Sequence, residues 1–310
     1  MDFTLDETQQ DLRTLTKDLA DRGEEALREA GVLGICLPEP AGGAGLGPVE
    51  MAVVLREVGA RALPALPILT STLTIATYGS AAQQERLAAA RVAALALDDP
   101  PGSPPTTARD GLLTGRKRGV PYGERADVVL VAADRGLYLV DGPVRAIPEF
   151  TSTGEPSATL VFDGTPAELV TEDTGGARRI FAAAVAAQAS GVLAGALELT
   201  TGYIKTRRQF GRALAEFQAV TMQIADVYVA SRALDAAMWS AAWGLDDKDV
   251  AIAAFHVSEA FRALFTCQHL HGGLGLDVTY PLHRSFAHAK HLAQSLGGAD
   301  AQLDLIGALL

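Results

Sequence analysis

The sequence predicts an α+β protein with an N-terminal helical domain at 1–92, a small middle β domain at 93–172 and a C-terminal four-helix bundle at 173–310. Three observations lead to this order. Helical periodicity fills both ends of the chain. A Pro- and Gly-rich stretch at 97–107 interrupts it. Short β-rich runs separated by Asp, Gly and Pro then follow from 111 to 170.

In the N-terminal region, the first helix is expected to start at a capping box. Thr4 is the expected N-cap residue, and Glu7, three residues later, is expected to accept a hydrogen bond from the Thr4 backbone amide. A glycine-rich string occupies 31–48. Its spacing is not G-x-G-x-x-G, so it does not predict a dinucleotide loop. Pro48 instead suits the first turn of a helix at 49–58, where its missing N–H is not needed.

The middle region contains three runs rich in β-branched and apolar residues, at 128–132, 136–140 and 158–162. These runs are typical of short strands. Long helical patterns return afterwards and predict four helices, at 178–206, 214–243, 248–270 and 281–309. Their lengths and short connections are typical of a four-helix bundle.

The segment 181–199 is almost continuously apolar, yet Ala and Gly dominate it, and Gln188 and Ser190 interrupt it. Such a composition is a weak membrane span. We expect a buried bundle helix that its neighbours approach closely at the small residues.

The negative net charge of the chain restricts the classes of partner it can bind. The net charge is -11 over 310 residues, which argues against nucleic acid or an anionic membrane, since both need a basic surface. Cys36 and Cys267 lie far apart and are expected to be free thiols in a reducing cytoplasm. The N-terminus lacks a basic segment before an apolar run, so no signal peptide is expected.

One basic stretch stands out in this acidic chain. Lys205, Arg207, Arg208 and Arg212 cluster where a helix breaks at Gly211. Guanidinium groups bind phosphate oxygens in a planar fork, and a neighbouring aromatic ring can cover a ligand ring. The stretch therefore suits a phosphate-bearing ligand. A purely structural alternative is a helix end whose basic residues complement the dipole.

Two ordered motifs resemble those of the acyl-CoA dehydrogenase flavoprotein family. Arg207-Arg208-Gln209-Phe210-Gly211, followed by Phe217-Gln218 and Ala225-Asp226, is similar to the family's R-x-x-F-G, F-Q and A-D signature. His269-Leu270-His271-Gly272-Gly273-Leu274-Gly275 and Tyr280-Pro281-Leu282-His283-Arg284 resemble its Q-x-H-G-G-x-G and Y-P-x-x-R segments. The likeness covers nearly the whole chain and implies the predicted domain order.

The resemblance also implies a cofactor, FAD, held at a subunit interface, and an acyl-CoA substrate. In such enzymes a carboxylate removes the α proton while the β hydrogen leaves as hydride to the flavin. Arg207 matches the arginine that contacts the pyrophosphate of the partner subunit's FAD. The other expected cofactor-binding residues are Gln209, Phe210, Gln218, His269, Gly272 and Gly273, with His269 standing where the family usually has Gln.

Several positions depart from the family pattern. Leu296 occupies the place of the usual catalytic glutamate, and no carboxylate is found at 180–182, where other members carry it. In the segment Lys117–Gly123, Gly and Pro replace the flavin-stacking aromatic and the Thr/Ser, although Tyr122 is a substitute candidate. The T-E-P loop is reduced at 97–102. No catalytic residue is therefore assigned to this chain.

These departures lead to the hypothesis of a heteromer, a heterotetramer resembling the α2β2 acyl-CoA dehydrogenases of actinobacterial steroid side-chain degradation. This chain would complete the FAD site of a homologous subunit. Two alternatives stay open: a complete homomeric enzyme with Asp300 or Asp277 as base, and a flavin-free scaffold. His271, His283, His288 and His291 show no metal-site spacing, so no metal is expected.

Overall fold

A computed structural model describes residues 3–309 of the chain. The residues form two compact units. The bundle unit consists of Ala52–Leu63 with the described parts of Met1–Ala26 and Ala182–Leu310. The sheet unit consists of Leu27–Met51 and Pro64–Phe181.

Ten α-helices are found among residues 3–309. They are α1 (Glu7–Ala20), α2 (Glu24–Glu29), α3 (Pro48–Gly59), α4 (Leu66–Tyr78), α5 (Ala81–Ala89), α6 (Thr174–Thr206), α7 (Gln218–Gly244), α8 (Asp247–His271), α9 (Leu282–Ser295) and α10 (Gly298–Ala308). Five of them precede the eight strands of the sheet unit and five follow those strands, so the predicted fold class is confirmed.

The strands of the sheet unit form two four-stranded sheets. They are β1 (Ala93–Ala96), β2 (Thr107–Arg109), β3 (Leu112–Pro121), β4 (Val128–Ala133), β5 (Gly136–Asp141), β6 (Arg145–Glu149), β7 (Ser157–Pro166) and β8 (Glu168–Thr171). One sheet has the order β1-β4-β5-β8, with β1 parallel to β4. The other is antiparallel throughout, in the order β2-β3-β7-β6.

Two apolar layers cover the first sheet. Val129 and Val131 share a buried cluster with Leu160 and Phe162 of the second sheet. Leu95 and Leu130 belong to a separate cluster that includes helix residues such as Ile75 and Leu87. The alternation along β1 and β4 therefore follows the two-residue period of a sheet buried on both faces.

Two features of the predicted helices are wrong, the capping box of the first helix and the single helix at the C-terminal end. The capping box at the first helix is formed by Asp6 and Gln9, because Asp6 accepts from the Gln9 amide at 2.8 Å and the Gln9 side chain accepts from the Asp6 amide at 3.1 Å. The predicted C-terminal helix at 281–309 is two helices, since Gly297 and Gly298 both take φ of 80° and end the helical path between α9 and α10.

The helix α6 is approached closely by other backbone, as its composition predicts. A Cβ at Gly191 would collide with the Arg56 carbonyl, and one at Gly195 would collide with the Ala60 carbonyl. Gly59 in turn leaves room for the Gln188 backbone. The Gln188 side-chain amide donates to the Leu63 carbonyl at 3.0 Å. Glycine at these positions lets α3 and the turn after it lie directly on α6.

Two helices are long and apolar enough to cross a membrane, Thr174–Thr206 and Asp247–Leu276, the second including the turn after α8. Their most apolar windows are 72% and 50% buried inside the protein. Length and composition alone are weak evidence for a membrane span, since a buried core helix passes the same test.

We predict that Gly191→Ala destabilises the protein by more than about 2 kcal/mol, because the added methyl group forces two backbones apart. Gly202→Ala is the matched control on the same helix, where a Cβ meets nothing within 4 Å. It should stabilise by about 0.5–1 kcal/mol. Urea unfolding of both variants checks this, and equal effects would contradict the close approach.

Candidate functional site

The basic stretch forms a short hairpin after α6. The strands β9 (Arg208–Gln209) and β10 (Arg212–Ala213) pair antiparallel, with Gln209 opposite Arg212. Phe210 and Gly211 make the two-residue turn, with φ of 50° and 82°. Two consecutive positive φ angles are the signature of a type I′ turn, whose twist matches that of hairpin strands. Gly211 therefore serves the turn, and Phe210 holds a conformation that costs free energy for a residue with a side chain.

Three contacts fix the hairpin. The Arg208 guanidinium donates to the Gly211 carbonyl at 2.9 Å, and the Leu214 amide donates to the Arg207 carbonyl at 2.9 Å. The Arg212 guanidinium carbon lies 4.0 Å from the centroid of the Phe217 ring. These contacts leave the tip itself uncovered, since the Phe210 side chain is 92% exposed.

The base of the hairpin is tied to the second motif by a ring stack. Tyr203, in the last turn of α6, stacks on His271 at the end of α8, with centroids 4.3 Å apart and an interplanar angle of 21°. The Tyr203 hydroxyl donates weakly to the His271 carbonyl at 3.5 Å. The Arg207 amide donates to the Tyr203 carbonyl at 2.8 Å. The two motifs thus meet at one end of the bundle unit.

His271 is held as a neutral imidazole. It is buried, and burial lowers the pKa of its ring. Its Nδ1 donates to the Cys267 carbonyl at 2.9 Å, and its Nε2 is buried without a hydrogen-bond partner among residues 3–309. The ring therefore acts as a packed spacer between the two motifs.

The glycines that follow leave backbone accessible. Gly272 takes φ of 60°, and a Cβ at either Gly272 or Gly273 would meet nothing within 4 Å. Both residues are exposed, as is His269 one turn earlier. A ligand approaching this corner would meet main chain without side-chain obstruction.

The structure brings the predicted cofactor-binding residues to one end of the bundle unit. Gln218 is the first residue of α7 and is exposed just after the hairpin. The exposed members of the predicted set are Arg207, Gln209, Phe210, Gln218, His269, Gly272 and Gly273. Leu296 lies elsewhere, at the joint between α9 and α10.

Comparison with known proteins identifies the family. Residues 6–93 match the acyl-CoA dehydrogenase N-terminal domain, and residues 179–310 match the acyl-CoA dehydrogenase C-terminal domain. The acyl-CoA dehydrogenase FadE28 of Mycobacterium tuberculosis is 37% identical over 99% of this chain and 98% of its own. This chain belongs to the acyl-CoA dehydrogenase family. Its members are FAD-dependent oxidoreductases.

Solved acyl-CoA dehydrogenase structures agree with this. The structure described as the Tcur3481-Tcur3483 steroid ACAD G363A variant superposes with a TM-score of 0.91, 32% identity and coverage of 99% of this chain and 98% of that one. The ChsE4-ChsE5 complex from Mycobacterium tuberculosis gives the same TM-score, identity and coverage. The similarity is therefore to chains of heteromeric acyl-CoA dehydrogenases.

Sequence reasoning missed a charged network inside the bundle unit. Asp235 of α7 is buried, and its carboxylate accepts from Arg56 through Nε and Nη2, both at 3.1 Å. The Ser190 hydroxyl and the Arg232 guanidinium also donate to it. Arg56 and Asp235 lie 179 residues apart, so no local pattern could pair them. The network fixes α3, α6 and α7 to one another.

The histidines do not form a metal centre in the described part of the chain, where no group of three or more His, Cys, Asp or Glu side chains could hold an ion. His288 and His291 face inward on α9. Burial, with His291 and Arg284 nearby, lowers the pKa of His288 from 6.5 to about 4. Burial also lowers the pKa of His291.

We predict a pH-dependent loss of stability from His288. Its folded-state pKa lies below the unfolded value, so the unfolded chain takes up the proton first as pH falls from 6.5 toward about 4. Stability is full above that window and is lost within it. Between about pH 7.5 and about pH 5 this contribution is about 2 kcal/mol. Urea unfolding should show a smaller pH dependence in His288→Gln than in the wild type.

The control for this prediction is His283→Gln, a half-exposed histidine on the same helix. It should retain the wild-type pH dependence. An identical pH dependence in the wild type and His288→Gln would contradict the assignment.

Proposed function

We propose that this chain is a subunit of a heteromeric acyl-CoA dehydrogenase that completes the FAD site of a homologous partner and carries no catalytic base of its own. The observation that carries the proposal is the hairpin tip. Phe210 holds a left-handed backbone conformation and a ring that is 92% exposed, and a partner surface that covers the ring would bury this apolar area. The proposed assembly is a heterotetramer in the cytoplasm.

The residues of this end fit the nucleotide part of FAD. Arg207 is exposed and offers a planar set of donors suited to a pyrophosphate. Gly272 and Gly273 allow close backbone approach, and the Phe210 ring offers a face for a flat ring system. The side chains of Gln209, Gln218 and His269 add exposed hydrogen-bonding groups. When bound, FAD supplies the hydride acceptor for the reaction.

The segment Lys117–Gly123, which the resemblance places next to this chain's own flavin, already has a hydrogen-bond partner within the sheet unit. The Glu149 carboxylate accepts from the Gly119 amide at 3.1 Å and from the Thr159 hydroxyl. Pro121 has no amide hydrogen to offer. The Glu149 carboxylate therefore uses the Gly119 amide as its donor and adds a negative charge at the edge of this segment. Both effects support a chain that serves a cofactor held mainly by another subunit.

A second ion pair within the sheet unit involves a buried lysine of β3. Lys117 of β3 is 2% exposed, and its ammonium donates to Asp99 at 2.9 Å and to the Leu97 carbonyl at 3.1 Å. The shortened loop at 97–102 is thereby fastened to the sheet. These residues are committed to internal contacts, which again favours the partner role.

One of the two candidate bases on this chain, Asp277, is poorly suited to proton abstraction. Leu296 cannot accept a proton. The Thr279 hydroxyl and amide, at 2.7 and 2.8 Å, lower the pKa of the Asp277 carboxyl, and this weakens it as a base. We therefore place the base on the partner chain, and Asp300, in the first turn of α10, stays the candidate base of the homomeric alternative. The substrate is proposed to be an acyl-CoA thioester that undergoes α,β-desaturation. The resemblance implies a steroid side-chain CoA ester, and the similarity to a steroid ACAD supports the steroid class.

We predict that the chain expressed alone is colourless and inactive, and that co-expression with a glutamate-bearing acyl-CoA dehydrogenase chain from the same organism gives a yellow, active complex. In that complex, Arg207→Gln should weaken FAD binding about ten- to hundredfold, because a charged hydrogen bond is lost. Lys248→Gln is the control, because Lys248 is exposed in the first turn of α8, at the end of that helix opposite His271, and this variant should bind FAD normally. Flavin fluorescence on titration measures both.

Two results would contradict the proposal. Equal FAD affinity of the two variants would remove Arg207 from the site. A colourless complex with every partner tested would favour the scaffold alternative.

A further inference from the structure

A cavity of about 350 Å³ lies within the bundle unit, away from the hairpin end. It is open to solvent and is lined by the N-terminal segment, α1, α3 and α7. Its lining residues are Phe3, Thr4, Leu5, Gln10, Arg13, Val53, Arg56, Glu57, Arg232, Asp235 and Trp239. The volume is in the range of small-molecule sites.

The walls carry an excess of positive charge. Arg13, Arg56 and Arg232 supply three guanidinium groups, and Glu57 and Asp235 supply two carboxylates. The chain as a whole has a net charge of -11. A positive cavity in so acidic a protein concentrates small anions against the general field.

The carboxylate of Asp235 is already saturated with donors. It accepts from both Nε and Nη2 of Arg56, from Arg232 at 3.1 Å and from the Ser190 hydroxyl. Arg56 Nη1 lies 3.7 Å from Glu57, beyond hydrogen-bond distance. The Asp235 network therefore holds Arg56 in place while leaving part of its donor capacity unused.

Two further guanidinium groups have donors to spare. Arg13 is exposed and makes no hydrogen bond or ion pair with any residue from 3 to 309. The Arg232 side chain is 63% exposed and donates through Nη1 alone to Asp235. Arg13 and Arg232 come from different helices, α1 and α7, and both line the same cavity. Together with Arg56 of α3, they supply N–H groups from three helices.

We propose that this cavity is a binding site for a small oxyanion with two or more charged oxygens, a phosphate or a short dicarboxylate. The planar forks of Arg13 and Arg232 match paired oxygens, and Arg56 is pre-positioned by Asp235. Phe3, Leu5 and the Trp239 ring form the apolar part of the wall. The site is independent of the proposed flavin role.

Trp239 provides a direct readout, because it lines the cavity. The full-length chain, in complex with its partner if it requires one, is made with Trp243→Phe so that Trp239 is this chain's single tryptophan. Inorganic phosphate and succinate are titrated separately at constant ionic strength, with sodium chloride as reference. Calorimetry on the same samples measures binding independently of the fluorescence of any tryptophan in the partner chain.

We expect one of the two anions to bind saturably with a Kd below about 10 mM. The anion that does so shows whether the site takes a phosphate or a dicarboxylate. Arg13→Gln should weaken this binding at least about tenfold. Lys17→Gln is the matched control one helical turn along α1, outside the cavity, and should bind as the parent does. Arg232→Gln gives a second test if Arg13→Gln unfolds.

No saturation with either anion would overturn the proposal. So would equal affinities of Arg13→Gln and Lys17→Gln.

Discussion

The direct contact between α3 and α6 is the constraint on which the bundle unit depends. Glycine at 59, 191 and 195 removes the side chains that would hold the two backbones apart. Asp235 then ties both helices to α7 through Arg56 and Ser190. The carboxylate is buried, and removing one partner would leave an uncompensated charge, so the network fixes geometry more than it adds net stability.

This constraint decides where the hairpin emerges. With α6 fixed along its middle, its last turn places Tyr203 against His271 at the end of α8. The chain must then turn back within a few residues to start α7, and a type I′ turn does so at the expense of a left-handed Phe210. The packed interior of the bundle thus presents a rigid basic and aromatic tip.

Much of this fold follows from local patterns in the sequence. The small residues of α6, the Pro48 helix start and the order of helices and strands are visible as composition and period. The hairpin was visible only as a break at Gly211, because strands of two residues have no periodicity to detect. The joint at Gly297 and Gly298 was missed because the hydrophobic pattern continues across it.

The exposed residues of the candidate site can be predicted from the sequence, but the contacts that position them cannot. Resemblance assigned the exposed residues of the two motifs, and the structure gathers them at one end of the bundle. The Tyr203 stack and the Arg56–Asp235 pair could not be predicted, since each joins positions far apart in sequence whose contact exists only in the folded bundle. Glu149 at the Gly119 amide likewise depends on strand register.

The proposed division of roles between two chains can be tested by measuring the flavin content of their complex. The complex of this chain with a glutamate-bearing partner is purified, the flavin is released by denaturation and both chains are quantified. We expect about one FAD for every two chains, with the flavin lost when this chain is removed. One FAD per chain, or a flavin-loaded active homomer of this chain alone, would contradict it.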